Sequence, residues 1–339
     1  MRAGLFPSEH APDILTFYAA RERLAPELVE RIVRESRLAR SVAFRRGGRW
    51  RFLFPLMPRW FETLDLSQYE LVVSSSHSFA HGVRRRADAV HVCYCHTPSY
   101  YAWRRGQRGG PAGVAARALR GRLRAWDLRA ARRPDLYVAN SNAVRDRIAA
   151  FYGREAKVVH PPVDVADLDP GGEREPGRFL WLGRLVTHKQ PLLAAEAFRG
   201  LPHRLTMVGT GPLEGALRRN LPPNVELLPW LSRQELVERL GRASGFVHVG
   251  EEDFGIAMVE ALAAGTPVVG LARGGAVDIV RPDVDGILVE RQEPTAVREA
   301  VAALAERAWE PGQLAARARE FSRERFLQRF REVLSTLGV

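Results

Sequence analysis

The stretch GEEDFGIAMVEALAAGTPVV, residues 250–269, predicts a turn, a helix, a second turn and a strand. The apolar run GFVHVG comes directly before it and is typical of another strand, while ALAAG ends in a glycine that favours a helix C-terminus. A helix that starts just after a strand presents free backbone N–H groups and the positive end of its dipole at the carboxyl edge of a parallel sheet. We therefore predict an anion site there, flanked by the carboxylates of Glu252 and Glu260.

Strand-like and helix-like segments alternate through the second half of the chain. GRFLWLG, HRLTMVG and NVELLPW are typical strands, and the segments PLLAAEAFRGL and PLEGALRRN between them are typical helices. The helical segment SRQELVERLGRA begins with a capping box, because Ser232 is followed three residues later by Glu235. This α/β alternation indicates right-handed βαβ units and a doubly wound parallel sheet. The first half alternates more loosely, with DILTFYA, YELVVSSS, AVHVCYC and DLYVAN as strand candidates.

The length of 339 residues is sufficient for two domains with separate cores. The proline- and glycine-rich segment PPVDVADLDPGGEREPG is the best candidate for a linker between them. Two doubly wound domains would face each other across a cleft, where ligands bind at the carboxyl edges of the sheets. We predict the following boundaries: a first domain over 1–162 joined by a C-terminal helix over 321–339, a linker over 163–177, and a second domain over 178–320.

The composition is that of a globular protein, with 46% apolar and 27% charged residues and a net charge of +12. Nearly all of the positive charge is arginine scattered along the chain, since Lys157 and Lys189 are the only lysines. We interpret most of it as the solvated faces of helices. The alternative is attraction to anions such as nucleotide sugars, acidic lipids or nucleic acid. No signature of a nucleic-acid-binding module is present, so we expect no nucleic-acid partner.

The densest basic run, Ala115–Arg133, has two interpretations. Leu119, Leu123, Trp126 and Ala130 recur at helical spacing with arginines between them, which favours a helix that faces the core with a basic outer side. The same pattern is compatible with a helix that lies on a membrane surface. The sequence has no run of about 18 apolar residues and its first residues lack the apolar core of a signal peptide. We therefore interpret the protein as cytoplasmic, with peripheral membrane contact as the alternative.

Two short patterns resemble metal sites. Cys93 and Cys95 form a C-x-C pair on a predicted strand, but no second pair completes a zinc site, so we expect them to be core residues. Asp167 and Asp169 have the spacing of a D-x-D site, but they lie in the predicted linker, which argues against a metal role. We predict no metal site and no cofactor.

Five segments in succession resemble the motifs of glycosyltransferase family 4, whose members are retaining enzymes of the GT-B architecture. The segments are VANSNAVRDRIAAFYGREAKVVHPPVD, GRLVTHKQPLLAAEAF, VGTGP, EEDFGIAMVEALAAGTPVVG and GGAVDIV. Two further segments, LFPLMPRWFETLDLSQYELVVSSSHSFAHGV and VCYCHTPSYYAW, are similar to the O-antigen and polysaccharide mannosyltransferase-like branch. The resemblance extends over residues 50–335 and implies two Rossmann-like domains that face a central cleft.

The resemblance implies a donor site in the second domain. Glu260, about two turns into its helix, would accept hydrogen bonds from the ribose, and Glu252 would hold hydroxyls of the donor sugar. Backbone N–H groups around Gly255 would bind the sugar and the diphosphate, since a side chain at that position would block close approach. The remaining donor-binding residues that the family implies are Gly183, Gly209, Gly211, Trp230, Leu231, Asp253, Phe254 and Ile256.

The resemblance also implies the residues that act in the reaction. Arg184 and Lys189 in GRLVTHK would bind the diphosphate and stabilise the departing nucleotide. His96 in CHTP, at the end of a first-domain strand, would contact the donor sugar and the reaction centre, together with Glu252. No residue is a convincing covalent nucleophile. The resemblance implies a front-face mechanism in which the leaving phosphate helps to take the acceptor proton. No metal is needed if these cations and the helix dipole neutralise the diphosphate.

The implied reaction is transfer of a sugar from a nucleoside diphosphate to an acceptor hydroxyl with retention of configuration. The branch favours GDP-mannose as the donor. The acceptor, whether a saccharide, a lipid-linked glycan or a small-molecule natural product, is not identified by the sequence. Two alternatives are a non-catalytic GT-B partner subunit and a GT-B nucleotide-sugar epimerase. The catalytic-type residues named above argue against the first, and the family 4 motif set argues against the second.

The start of the sequence departs from the family pattern. Family members open with a strand and a glycine-rich loop before the part that resembles LFPSEHAPDILTFYA, whereas this sequence starts inside the helix that follows. We expect residues 1–12 not to form that element. Either the given start is late or the protein folds without this element. In the second case, buried neighbouring strands need partners for their backbone groups. We then expect the gap to be closed by rearrangement or by a homodimer, rather than left as a partly disordered first domain, with an unusually open acceptor wall.

Overall fold

The computed structural model describes residues 12–37, 53, 55–103, 110–169 and 173–338. These residues form two compact units. Unit 1 contains the described residues within 1–140, 144–159 and 327–339, and unit 2 contains 141–143 and 160–326. The expectation about the first strand and glycine-rich loop concerns residues 1–12, of which residues 1–11 lie outside the described residues.

Unit 1 is built on a parallel sheet. Its strands follow one another across the sheet in chain order, namely β3 (Leu71–Ser76), β4 (Val90–Cys95), β5 (Leu136–Ala139) and β6 (Ala156–Val158), and a separate parallel pair consists of β1 (Ile14–Thr16) and β2 (Ile32–Glu35). Its helices are α1 (Pro26–Glu30), α2 (Met57–Glu62), α3 (Tyr100–Trp103), α4 (Gly110–Ala130) and most of α5 (Asn142–Tyr152). A short 3₁₀ helix spans Arg21–Arg23 and another spans Ala80–Gly82.

The core of unit 1 follows the predicted apolar patterns. Cys93 and Cys95 are buried free thiols in β4, which confirms their assignment to the core. On α5, Val144 and Ile148 are four residues apart and so lie on one face of the helix, and both are fully buried. The helix ends at Gly153, whose φ of 62° is in the left-handed region that suits a C-terminal glycine.

The basic helix α4 turns its apolar side toward the core of unit 1. Trp126 packs against Phe79 with ring centroids 5.7 Å apart and donates from Nε1 to Glu62 over 3.0 Å. Ala130 is fully buried, but Leu119, the first residue of the predicted stripe, remains 42% exposed. The interpretation of a core-facing helix is therefore confirmed for the C-terminal half of this helix. Within the described residues, no helix combines the length and the apolarity that crossing a bilayer requires.

Unit 2 contains a doubly wound parallel sheet of six strands within the described residues. In order across the sheet the strands are β12 (Gly286–Val289), β11 (Val268–Leu271), β10 (Ala243–His248), β7 (Glu175–Leu182), β8 (Arg204–Val208) and β9 (Val225–Leu228). The chain thus builds outward from β7 in one direction and then returns to build outward from β10 in the other. The place where the direction reverses, between β7 and β10, is the usual ligand-binding point of such sheets.

The helices of unit 2 cover both faces of this sheet. They are α6 (Pro191–Ala197), α7 (Glu214–Arg219), α8 (Arg233–Arg242), α9 (Ile256–Ala263), α10 (Ala276–Ile279), α11 (Pro294–Glu306), α12 (Pro311–Arg319) and the first residues of α13 (Arg323–Ser335). Neighbouring residues of a strand point to opposite cores: Leu180 packs with Leu262 on one face and Trp181 packs with Val247 on the other. Burial on both faces explains why the strands read as continuous apolar runs.

The predicted capping box at the start of α8 is confirmed. The Ser232 hydroxyl accepts from the Glu235 N–H, and the Glu235 carboxylate accepts from the Ser232 N–H over 2.8 Å.

We expect Ser232→Ala to lower the free energy of opening of α8 by about 1 kcal/mol, the usual effect of losing an N-terminal cap. Native-state amide hydrogen exchange measures this quantity helix by helix. The control is Ser335→Ala at the end of α13, where the hydroxyl only donates to the Glu332 carbonyl within the last turn. Equal protection of α8 in Ser232→Ala and the unaltered protein would contradict the prediction.

Candidate functional site

Two loops meet at the carboxyl edge of the unit 2 sheet, where β7 and β10 lie side by side. The loop after β7 contains a 3₁₀ helix, Thr187–Lys189, and the loop after β10 begins at Val249. At Gly250 a Cβ atom would lie 2.7 Å from the His188 carbonyl oxygen and 2.7 Å from Lys189 Cα. The two backbones therefore touch, and this contact brings charged side chains of the two loops together.

Glu252 is held by two basic partners. Lys189 Nζ donates to Glu252 Oε1 over 2.6 Å, and His248 Nε2 lies 3.0 Å from the same oxygen. Burial disfavours the ionised carboxylate, but the hydrogen bond and charge of His248 and the charge of Lys189 outweigh it and lower the pKa of Glu252 to about 2. The carboxylate is thus anionic at neutral pH although only 18% of the side chain is exposed.

The turn before α9 is shaped by one glycine. Gly255 is the N-cap residue of α9 with φ of 113°, and it has no side chain with which to cap the helix. This φ favours glycine, and a Cβ there would lie 2.1 Å from Met258 Cε, so a larger residue would also displace the end of that side chain. Phe254 is buried with its ring 5.6 Å from those of His160 and Phe321, which anchors the turn in the core of unit 2. Asp253 is partly exposed, and Ile256 is 49% exposed at the start of the helix.

The loop after β11 fixes the Glu252 turn from a second side. Gly275 N–H donates to the Glu252 carbonyl over 2.8 Å. A Cβ at Gly274 would lie 2.4 Å from that carbonyl oxygen, and one at Gly275 would lie 2.0 Å from the carbonyl oxygen of Phe254. The two glycines of the GGAVDIV segment therefore allow backbone-to-backbone packing beneath the carboxylate.

The second glutamate has a different environment. Glu260 is the fifth residue of α9, so it lies little more than one turn into the helix rather than the expected two. Its Oε1 accepts from Arg233 Nη1 over 2.5 Å, and Arg233 also binds Asp167 with Nε and Nη2 over 2.9 and 2.8 Å. Burial raises the pKa of Glu260, and the hydrogen bond and charge of Arg233 oppose that rise without cancelling it.

The glycines after β7 and β8 allow a second close backbone contact. Gly209 has φ of 145°, and a Cβ there would lie 1.9 Å from the Gly183 carbonyl oxygen. A Cβ at Gly211 would lie 2.6 Å from the Leu185 carbonyl oxygen. The sequence assigned these glycines to a ligand pocket, and the structure adds that the packing of two loops requires them.

Three other predicted residues surround these loops. Arg184 is the second residue after β7 and is exposed, and its guanidinium forms no ion pair within the described part of the chain. Trp230 is 50% exposed after β9, while Leu231 is half-buried against the core of unit 2. All thirteen predicted donor-site residues belong to unit 2.

The remaining predicted residue, His96, belongs to unit 1 and directly follows β4, as expected. Its Nε2 lies 2.9 Å from the Ser75 hydroxyl, and its ring contacts that of Tyr94 edge-on at 5.2 Å. Burial lowers the pKa of His96 to about 4, so the imidazole is neutral at physiological pH.

Two residues of the unit 2 cluster were missed from the sequence. His248 is the only polar residue within the apolar run FVHV, and that break in the pattern was an available signal. Arg233 follows the capping serine of α8, where a cation opposes the helix dipole. A cation at the start of a helix was a second signal that Arg233 has acidic partners, but it does not indicate which residues they are. Asp167, whose D-x-D spacing resembled a metal site, is one of them. The described residues contain no group of three His, Cys, Asp or Glu side chains placed to hold a metal ion.

Known proteins similar to this chain are glycosyltransferases. It is 30% identical over 212 residues to D-inositol 3-phosphate glycosyltransferase 1 of Catenulispora acidiphila, covering 50% of this chain and 49% of the relative. It is 32% identical over 147 residues to the GDP-mannose-dependent alpha-mannosyltransferase of Corynebacterium glutamicum, covering 41% of this chain and 34% of the relative. The matches thus span about half, or less, of the length of these curated relatives.

The fold resembles that of Anabaena Alr3699/HepE, solved in complex with UDP and glucose, with a TM-score of 0.62 at 19% identity over 85% of this chain and 83% of that one. Family models match the two parts of the chain in succession. Residues 6–167 match the model described as Glycosyltransferase Family 4, and residues 170–325 match the one described as Glycosyl transferases group 1. The two parallel-sheet units and these matches show that the chain belongs to glycosyltransferase family 4 and has the GT-B fold.

Proposed function

We propose that this protein is a retaining glycosyltransferase that moves a sugar from a nucleoside diphosphate to an acceptor hydroxyl without a metal ion. The observation that carries the proposal is the Lys189–Glu252–His248 cluster, which lies at the reversal point of the unit 2 sheet beside the N-terminus of α9. A cation, an anion and a helix dipole at this place can recognise the phosphates and hydroxyls of one donor molecule.

The diphosphate would bind at the positive side of this cluster. Lys189 Nζ carries three donors, and Glu252 takes one of them, so two are left for phosphate oxygens. Arg184 follows Gly183 in the loop after β7. Its side chain is exposed and would supply a second cation. The N-terminus of α9, with its glycine cap, would add backbone N–H groups and the positive end of its dipole.

The donor sugar would bind to Glu252. Both basic partners contact Oε1, and within the described residues Oε2 forms no hydrogen bond. A carboxylate with one oxygen fixed and the other available is suited to accept hydrogen bonds from sugar hydroxyls. The low pKa of Glu252 keeps it an acceptor throughout the physiological range.

In the transfer, the acceptor oxygen forms a bond to the anomeric carbon on the face from which the nucleotide leaves. The bond between the anomeric carbon and the phosphate oxygen breaks, and the acceptor proton passes to the departing phosphate. Arg184, Lys189 and the α9 dipole would stabilise the negative charge that develops on that phosphate. His96, neutral because burial lowers its pKa to about 4, stays the predicted first-domain contact of the donor sugar.

GDP-mannose is the first donor that we propose to test, because one relative is a GDP-mannose-dependent alpha-mannosyltransferase. The acceptor would be a saccharide, a lipid-linked glycan or a small-molecule natural product. A thermal-shift screen of nucleoside diphosphates and their sugars separates the donors, since a ligand at 100 times its dissociation constant adds about 2.7 kcal/mol of stability.

Product analysis distinguishes the proposed enzyme from the two alternatives. A transferase releases nucleoside diphosphate in proportion to glycosylated acceptor. An epimerase would change the sugar of the donor with no acceptor present, and a non-catalytic subunit would bind the nucleotide without turnover. Acceptor-dependent release with an α-configured product from an α-configured donor is the expected result, and it also reports retention.

The outer side of α4 is the part of the molecule that we propose to contact an acidic membrane surface. Arg122 and Arg129 on α4 and Arg132 in the turn directly after it are exposed, and none forms an ion pair within the described residues. Leu128 is 39% exposed on the same helix. Unpaired cations together with an exposed leucine are suited to anionic lipid headgroups.

We expect Glu260→Ala to weaken nucleoside diphosphate binding by about 1.5 to 3 kcal/mol, because a charged hydrogen-bond acceptor for the ribose is lost. The fold should persist, since Arg233 keeps its bidentate partner Asp167. Calorimetry measures the affinity, with Glu299→Ala on the exposed side of α11 as the control. Unchanged affinity in Glu260→Ala would remove this residue from the site.

Transferase activity is expected to survive a metal chelator, because fixed cations take the place of the ion at the diphosphate. The measurement is the initial rate with and without excess chelator after dialysis. Loss of activity that added magnesium or manganese restores would overturn the metal-independent mechanism.

Replacement of Arg122, Arg129 and Arg132 by glutamine should weaken binding to vesicles with anionic lipid by at least about tenfold, because each cation near such a surface contributes about 1 kcal/mol. Co-sedimentation measures the binding. The control replaces three exposed arginines of unit 2, Arg218, Arg219 and Arg242. Equal sedimentation of the unaltered protein with neutral and anionic vesicles would contradict the membrane contact.

A further inference from the structure

Arg233 is placed where a helix disfavours positive charge. It is the first residue of α8, directly after the capping Ser232, so its guanidinium lies near the positive end of the helix dipole. The acidic residue of the capping box, Glu235, is the type of residue that this end favours. An arginine that opposes the local preference of its helix needs compensation from elsewhere, and such mismatches are concentrated at functional sites.

The compensation comes from two carboxylates on two other segments. Asp167, in the loop that precedes β7, binds Arg233 through a two-point contact of 2.9 and 2.8 Å. Glu260 on α9 accepts from Nη1 over 2.5 Å. Arg233 Nη2 also donates to the Asp164 carbonyl over 3.3 Å. A planar guanidinium fixed by a bidentate carboxylate has little freedom, so it presents Nη1 to Glu260 in one orientation.

The contact uses only half of the Glu260 carboxylate. Oε1 accepts from Arg233, whereas Oε2 forms no hydrogen bond within the described residues, and 16% of the side chain is exposed. The arginine therefore determines which oxygen of Glu260 remains open to a ligand. The same arrangement occurs at Glu252, where Lys189 and His248 share one oxygen and leave the other.

Among the described residues, three charged groups face Glu260. Arg233 on α8 favours its ionised form, and Asp167 and Asp164 in the loop before β7 oppose it. The helix α12 also packs against α9, but its Arg317 donates to the carbonyls of Ile279 and Asp278 instead. Since burial already raises the pKa of Glu260, loss of the single facing cation would raise that pKa further.

We propose that Arg233, clamped by Asp167, is a positioning residue of the nucleotide site: it orients Glu260 and keeps it ionised, so that Oε2 accepts hydrogen bonds from the ribose of a nucleoside diphosphate. The inference rests on the proposed function for the identity of the ligand. The ion-pair arrangement itself stands on the distances above. Arg233 touches neither the sugar nor the phosphates in this account and acts only through Glu260.

A competing account makes Arg233 a blocking group that must leave Glu260 before a ribose can bind. The two accounts predict opposite effects of its removal. If Arg233 blocks, Arg233→Met tightens nucleotide binding. If it positions, the same variant weakens binding, and Arg233→Lys, which keeps one cation but not the two-point contact with Asp167, restores part of the affinity.

The experiment is a double-mutant cycle on nucleoside diphosphate affinity, measured by calorimetry near pH 8 and near pH 6. We expect Arg233→Met to weaken binding about tenfold near pH 8, as for loss of one charge-assisted contact. The loss should be larger near pH 6, because removal of the cation raises the pKa of Glu260 and a carboxylate with a raised pKa is protonated more as the pH falls. In the Glu260→Gln background, Arg233→Met should have no further effect. The matched control is Arg218→Met, which breaks an exposed ion pair with Glu214 in the same unit.

A second readout does not depend on any nucleotide. The ¹³C shift of the Glu260 carboxyl, assigned by comparison with Glu260→Gln, reports its titration directly. Arg233→Met should raise that pKa, and Arg218→Met should not. An unchanged Glu260 pKa in Arg233→Met, tighter nucleotide binding, or an equal loss in the Glu260→Gln background would each overturn the positioning role. A raised pKa in a protein that binds no nucleoside diphosphate would support the ion-pair role and reject the proposed function instead.

Discussion

The contact between the backbones of the loops after β7 and β10 is the constraint on which the candidate site depends. Gly250 rests against His188 and Lys189 with no room for a side chain, and Gly274 and Gly275 approach the Glu252 turn just as closely. Any larger residue at these positions would separate loops that carry opposite charges. Because the contact is made by backbone, it fixes the backbone positions from which the side chains of Lys189 and Glu252 reach each other. The pairing of Lys189 with Glu252 at this edge of the sheet is therefore a consequence of the close packing of the two loops.

Two glutamates near the N-terminus of α9, Glu252 and Glu260, have pKa values shifted in opposite directions. Glu252 has a lysine and a histidine on one oxygen, and these outweigh burial and lower its pKa to about 2. Glu260 has one arginine whose charge is shared with Asp167, and here burial prevails and the pKa is raised. Both carboxylates keep one oxygen without a hydrogen bond within the described residues. A site that binds several hydroxyl groups of one donor benefits from such acceptors, because each is held in place before the ligand arrives.

Patterns of short range predicted the fold well. Alternating strand and helix segments predicted the parallel sheets, and the Ser232–Glu235 spacing predicted a capping box. These features depend on neighbours in the chain, so composition and spacing determine them. The predicted position of Glu260 in α9 was too deep. Residues up to Gly255 belong to the turn, and the helix starts only at Ile256. The start of a helix at a positive-φ glycine such as Gly255 also depends on how Met258 packs against that glycine. The spacing of apolar residues in the sequence carries no information about this packing.

Contacts of long range in the sequence escaped prediction for a physical reason. Arg233 and Asp167 are 66 residues apart, and they meet only because the sheet order places the loop before β7 beside the start of α8. From the sequence, Asp167 was part of an isolated D-x-D pattern whose charges had no visible partner. In the folded unit the carboxylate neutralises an arginine that opposes its own helix dipole, and the arginine in turn fixes a glutamate on α9. A residue assigned to a linker thus acts on the candidate nucleotide site through one intermediate side chain. These two contacts, Asp167 with Arg233 and Arg233 with Glu260, can be identified only once the strand order is known. Neither contact alone would indicate that Asp167 is connected to Glu260.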